Sequence, residues 1–129
     1  MNKIIVEVSV GELLDKISIL EIKKMKIKDP DKLKFISNEH SILKNQLDSN
    51  VRSDNKLNEL FQSLKVINAK LWVIEDDKRQ CEKDKDFGEK FIKLSRDIHF
   101  LNDDRAKIKL EINNHTGSVI KEIKEYTSY

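Results

Sequence analysis

From Phe87 to Ile112 the apolar residues fall at Phe87, Phe91, Leu94, Ile98, Leu101, Ile108 and Ile112, a 4-3-4-3 rhythm broken only at position 105, by an arginine. That period is one face of a helix. The preceding segment repeats it. Leu57, Leu60, Leu64, Ile67, Leu71, Ile74, Lys78 and Cys81 form a stripe over about residues 54 to 84. Two shorter segments carry the same signal. Leu33, Ile36, His40, Leu43 and Leu47 mark a second helix. Leu13, Ile17, Leu20 and Ile27 mark a first, and a further stripe at Ile19, Ile22 and Met25 predicts that this helix is buried over a wide arc.

The breaks between these stripes carry start and stop signals. Ser9 and Glu12 form a capping box, in which each side chain can reach the other's amide. Asp29 can cap helix two, with Pro30 at its first position, where a missing amide costs nothing. Ser53 or Asp54 caps helix three. Asp86 with Glu89 predicts a second capping box for helix four, and Gly117 its left-handed terminator. The ends read differently. "IIVEVSV" alternates imperfectly and is β-branched, so a short N-terminal strand is expected. "SVIKEIKEYTSY" reads as a strand, a helical turn or a frayed tail.

The fold class expected is all-α: an antiparallel bundle of four helices dominated by the hairpin of helices three and four. Residues 1–129 form one domain, with 1–8 and 118–129 as extended or flexible ends. Short connections make successive helices antiparallel neighbours. Counting out from the turns places Leu64 near Arg105, His40 near Leu64, and the Leu20–Lys24 turn near His40. Glu21, Lys24, His40, Asn68 and Arg105 then gather in one polar layer. A buried guanidinium needs a paired acceptor; Glu21 is the expected partner, or Asp77 or Asp97 if the register slips. Asn102 and Asp104 can support the layer from helix four.

Composition sharpens this picture. Charged residues make up 37% of the 129, hydrophobic ones 38%, and Gly (3) and Pro (1) are scarce. Few breakers and many long charged side chains favour long amphipathic helices. Disorder requires a net charge far from zero, and here it is +2. The single cysteine, Cys81, rules out an internal disulfide and a cysteine-based zinc site. No apolar run is long enough to span a membrane, the N-terminus lacks the pattern of a signal peptide, and a cytoplasmic protein is expected.

The segments "VEVSVGELLDKISILEIK", "LWVIEDD", "DFGEKFIKLSRDI", "LNDDRAKIKLEIN" and the later "GS" resemble, in order and spacing, a family of small bacterial and phage proteins catalogued as a domain of unknown function. The resemblance spans nearly the whole chain. It implies no activity and no catalytic residues, so the chemistry has to come from the side chains.

Arg105, His40, Lys24, Glu21 and Asn68 are the candidate ligand-binding residues. Arginine offers a planar fork for carboxylate or phosphate and lysine a point charge, so a ligand bearing such a group is one expectation. The alternative is a purely structural polar layer that fixes register. Glu39 and His40 are adjacent, not one turn apart, so the paired Glu-x-x-His pattern of bundle metal sites is missing and no metal is expected. Cys81 lies on an apolar stripe near a helix C-terminus, where thiolate is disfavoured. The carboxylates of "IEDD" read as a solvated face, and Trp72 as packing on a flank. Lys23, Lys24, Lys26, Lys28, Lys32 and Lys34 form the densest basic stretch, but Asp29 and Asp31 interrupt it, so no nucleic acid is expected. No cofactor is expected either. Helix one is apolar on more than one face, which predicts a homodimer or higher homo-oligomer. The leading functional expectation is a non-catalytic oligomeric interaction or scaffold module.

Overall fold

A computed structural model describes residues 2–129; Met1, the first residue of the expected N-terminal end segment, lies outside the described residues. Four helices account for the ordered secondary structure: α1 (Val10–Lys26), α2 (Pro30–Asn50), α3 (Asn55–Lys83) and α4 (Glu89–Thr116). No strand is found among the described residues. The expected N-terminal strand does not form, because its exit is held by side chains and not by a ladder. The Val10 amide donates to Ser118 Oγ (3.1 Å), which itself donates to the Ile120 carbonyl (2.7 Å). The tail then returns along α4, where the Tyr129 ring lies 5.2 Å from both His99 and Phe100, centre to centre.

Local chemistry sets most of the helix ends. Ser9 Oγ accepts the Glu12 amide at 3.0 Å. The reciprocal half of that box is absent, since the Glu12 carboxylate is drawn instead to Lys109 Nζ at 2.7 Å. Asp29 caps α2 through the Asp31 amide (2.9 Å), and Asp54 caps α3 through the Leu57 amide (2.7 Å). Gly117 closes α4 in the left-handed conformation, at φ 66°. The box expected at Asp86 and Glu89 is not made. The N-cap of α4 is Gly88, without a side-chain cap. Asp86 belongs to the end of α3: its amide donates to the Cys81 carbonyl (2.9 Å) and its carboxylate accepts the Gly88 amide (3.1 Å).

Helix α1 is the organising element. It packs on α2, α3 and α4, whereas α2 packs on α1 alone. Contacts with α4 run in opposite order along the two chains, Gly11 with Asn113 and Asp15 with Arg105, so these helices are antiparallel. The core lies at this end of the molecule, around Leu14, Leu57, Leu60, Leu64 and Ile112. The buried face of α1 differs in part from the expected stripes. Leu14, Ile17, Leu20 and Ile22 are buried, but Met25 is 67% exposed. Another stripe, Gly11, Asp15, Ser18 and Ile22, also points inward. It escapes a hydrophobic reading because three of its four members are small or polar.

With 17 residues against 29 and 28, α1 is shorter than either hairpin helix by roughly 18 Å at 1.5 Å per residue. It starts beside the end of α4, so the part of the hairpin left uncovered is the tip near Lys83–Glu89. No helix of the described residues is long and apolar enough to cross a membrane.

The close approach of α1 to α4 depends on Gly11. Its amide donates to Asn113 Oδ1 (2.7 Å), and a Cβ there would sit 2.6 Å from the Lys109 carbonyl oxygen. On an unhindered helix Gly→Ala gains up to about 1 kcal/mol. Here Gly11→Ala should instead lose about 1–3 kcal/mol through overpacking, measured by urea denaturation; a gain would show that the helices part without cost.

Candidate functional site

A carboxylate on the inward stripe of α1 sets the polar interior. Asp15 is 2% exposed. Its Oδ1 accepts from Arg105 Nε at 3.0 Å and from Asn68 Nδ2 at 2.8 Å, and its Oδ2 accepts from Arg105 Nη2, completing a two-pronged pairing. Asn68 Nδ2 also donates to Ser18 Oγ at 2.8 Å, and Ser18 Oγ in turn donates to the Asp15 carbonyl at 2.8 Å. Asn102 Oδ1 accepts from Arg105 Nη1 at 3.4 Å. Lys109 Nζ stands 3.7 Å from the Asp15 carboxylate. Burial pushes the Asp15 carboxyl up, but the hydrogen bonds from Arg105 and Asn68 and the charges of Arg105 and Lys109 outweigh it and hold the group below its usual range.

Arg105 therefore interrupts the stripe of α4 to neutralise a buried acid. The partner is Asp15, earlier on α1 than the expected Glu21 by nearly two turns; Asp77 and Asp97 take no part. Counting residues from turns could not resolve that difference, because α1 reaches α4 across the bundle and not through a connecting turn.

Of the five residues singled out in the sequence, the structure puts Arg105 and Asn68 in this network. Glu21 and His40 form a second cluster: Glu21 Oε2 lies 3.2 Å from His40 Nε2, and Glu21 Oε1 accepts from Lys65 Nζ at 3.0 Å. Burial raises the Glu21 carboxyl, and the hydrogen bonds from Lys65 and His40 bring it below its ordinary value. Lys24 joins neither group and is exposed in the last turn of α1, beside Lys23 and Lys26. The residues missed by sequence reasoning are Asp15, Ser18, Lys65 and Lys109. The available signal was the Gly11–Asp15–Ser18–Ile22 spacing, which matches the 4-3-4 rhythm of the other helices.

Beside the Asp15 network an open cleft of about 430 Å³ is lined by Ile19 of α1, by Asn68, Leu71, Trp72 and Arg79 among others of α3, and by Asn102 and Arg105 of α4. Among the described residues no group of three or more His, Cys, Asp or Glu side chains could hold a metal ion.

The model of a family described as "Family of unknown function (DUF6165)" matches residues 4–129. No curated protein and no solved structure matches the chain.

Two outcomes follow from the pair. Arg105→Leu leaves a buried carboxylate short of its main donor and should cost about 2–4 kcal/mol, as should Asp15→Leu. The double substitution should cost less than the sum of the two by about 1–3 kcal/mol in a denaturation cycle; strict additivity would deny the pairing. Because the folded pKa of Asp15 lies below the ordinary 3.8, the stability it contributes is complete above that value and lost as pH falls through the lower folded value. In acid titrations followed by circular dichroism, Asp15→Asn should therefore lose less stability than the wild type as pH falls below the ordinary carboxylate value of 3.8.

Proposed function

The chain belongs to this family of unknown function, and on its geometry we propose that it is a self-associating, non-catalytic helical interaction module that pairs with a second copy through the uncovered part of the α3–α4 hairpin. One observation carries the reading. The α4 stripe has the period of a core-facing or coiled-coil seam, yet within it only Ile112 is buried. Phe91, Leu94, Ile98, Leu101 and Ile108 are half-buried, and Phe87 is exposed.

On α3 the same asymmetry holds: buried positions cluster from Leu57 to Leu71, and beyond them only Cys81 is sealed. The covered half of the hairpin has α1 against it. The tip has only its own two strands of helix, with a T-shaped contact of Phe87 and Phe91 (5.5 Å) and the Lys78 ammonium 5.3 Å from the centre of the Phe91 ring.

Surface area supports a second copy as the occupant. The molecule exposes 9497 Å², where a compact monomer of 15.1 kDa exposes about 7,100 Å². The extended ends, α2 with Ile36 as its one buried residue, and the hairpin all contribute to the excess. A stable pair needs about 800 Å² from each partner. Two hairpin tips side by side would make a four-helix bundle in which each seam covers the other, the usual use of a seven-residue rhythm. The charged groups inside the molecule are engaged with one another, Asp15 with Arg105 and Glu21 with Lys65 and His40, which fits a structural role for them.

Light scattering coupled to size exclusion should give at least twice the chain mass at about 50 μM protein, within the range where interfaces of this size associate. Leu94→Glu with Ile98→Glu should give the single-chain mass with helicity retained. A wild-type protein that stays at 15.1 kDa at that concentration would end this reading.

A further inference from the structure

We propose that the cleft between α1, α3 and α4 is a binding site for a neutral heteroaromatic ring that carries a hydrogen-bond donor beside an acceptor, the pattern of a nucleobase edge. The floor of the cleft is polar and incompletely used. Asn68 is 5% exposed and spends both of its described hydrogen bonds through Nδ2, on Asp15 and Ser18. Its Oδ1 accepts none among the described residues. No sealed side-chain oxygen or nitrogen of the described residues lacks a partner, so this oxygen is not sealed, and the cleft is the opening that Asn68 lines.

Arg105 supplies the complementary half. Of its five N–H groups, Nε and Nη2 donate to Asp15 and Nη1 donates to Asn102, which among the described residues leaves two donors unused on a side chain that is 29% exposed and lines the same cleft. An acceptor and a donor thus face one opening from a buried, cross-braced base. Leu71, Ile19 and the Trp72 indole furnish apolar wall. The volume, about 430 Å³, lies in the range of small-molecule sites.

Charge selects against an anion. The Arg105 guanidinium is already matched by Asp15, and the rim carries Glu75 and Asp76 against Arg79. The local balance is one negative charge in excess, so phosphate or carboxylate gains little from entering. A flat neutral ring with paired polar atoms fits the offered groups; each bond it makes replaces one to water, and ring contact with Trp72 adds to binding.

Trp72 is the only tryptophan, so its fluorescence reports the cleft directly. Full-length protein titrated with adenosine, guanosine, cytidine and uridine should show a saturable change for at least one, with half-saturation below about 1 mM, the scale of a weak specific site. The matching 5′-monophosphate should bind several-fold more weakly at low salt. Asn102→Leu, which fills the cleft from α4, and Ile19→Phe, which fills it from α1, should each weaken binding at least tenfold while the protein stays helical with a cooperative melt. No saturable change with any of the four nucleosides would overturn the proposal. So would undiminished binding in both variants, or a monophosphate that binds more tightly than its nucleoside. Light scattering on the same samples reports self-association separately, so either proposal can fail without the other.

Discussion

The buried carboxylate of Asp15 is the constraint around which the molecule is arranged. A charge withdrawn from water must be matched and hydrogen-bonded, and the match comes from a residue 90 positions away. Meeting it fixes the height of α1 on α4. With Asp15 level with Arg105, Lys109 reaches Glu12, the Gly11 amide meets Asn113, and the Val10 amide meets Ser118. These contacts step along one side of α4 at four-residue intervals, from Arg105 to Lys109 to Asn113, and end at Ser118 just past the helix. Only glycine permits the backbones to come this close at position 11, so the ion pair and the glycine are two ends of one requirement.

That anchoring divides the molecule. On one side of the Asp15 network lies a sealed apolar core with three helices converging; on the other, the hairpin continues alone. The network sits at the boundary, where water would otherwise enter along the shortened α1. A polar layer suits such a position better than leucine would, because it stays satisfied whether wet or dry. The cleft beside it follows from the same geometry: α1 turns away into α2 while α3 and α4 run on.

Much of this was legible in the residues and some was not, for identifiable reasons. Helix number, order and most ends follow from local rules: a 3.6-residue period, Asp29 and Asp54 as caps, Gly117 as terminator. The proximity of Glu21 to His40 was also legible, since short turns limit how neighbouring helices can slide. Arg105 stood out because it violated a stripe. Its partner did not stand out, because Asp15 lies on a stripe of Gly, Asp and Ser that looks polar to any hydrophobicity count. Lys24 follows Glu21 by nearly one turn, but it faces water in the last turn of α1 although the α1–α2 register is the expected one. The Asp86 box failed because the chain needs that residue to finish α3 before it can begin α4. The β-branched N-terminus met no ladder partner, since Ser118 already occupies the amide at its exit.

The thiol of Cys81 has a further meaning in this arrangement. It is the only one in the chain, is 2% exposed, and sits near the hairpin tip, beyond Trp72 along α3. Alkylation can proceed only when that end of the hairpin parts, so its rate is a built-in clock for fraying at one pole. Emission from Trp72, four residues along α3 from Asn68, reports the polar boundary itself. Two native labels thus sit at different heights on one helix, and their independence or concert will say whether the tip frays apart from the boundary or the chain melts as one body.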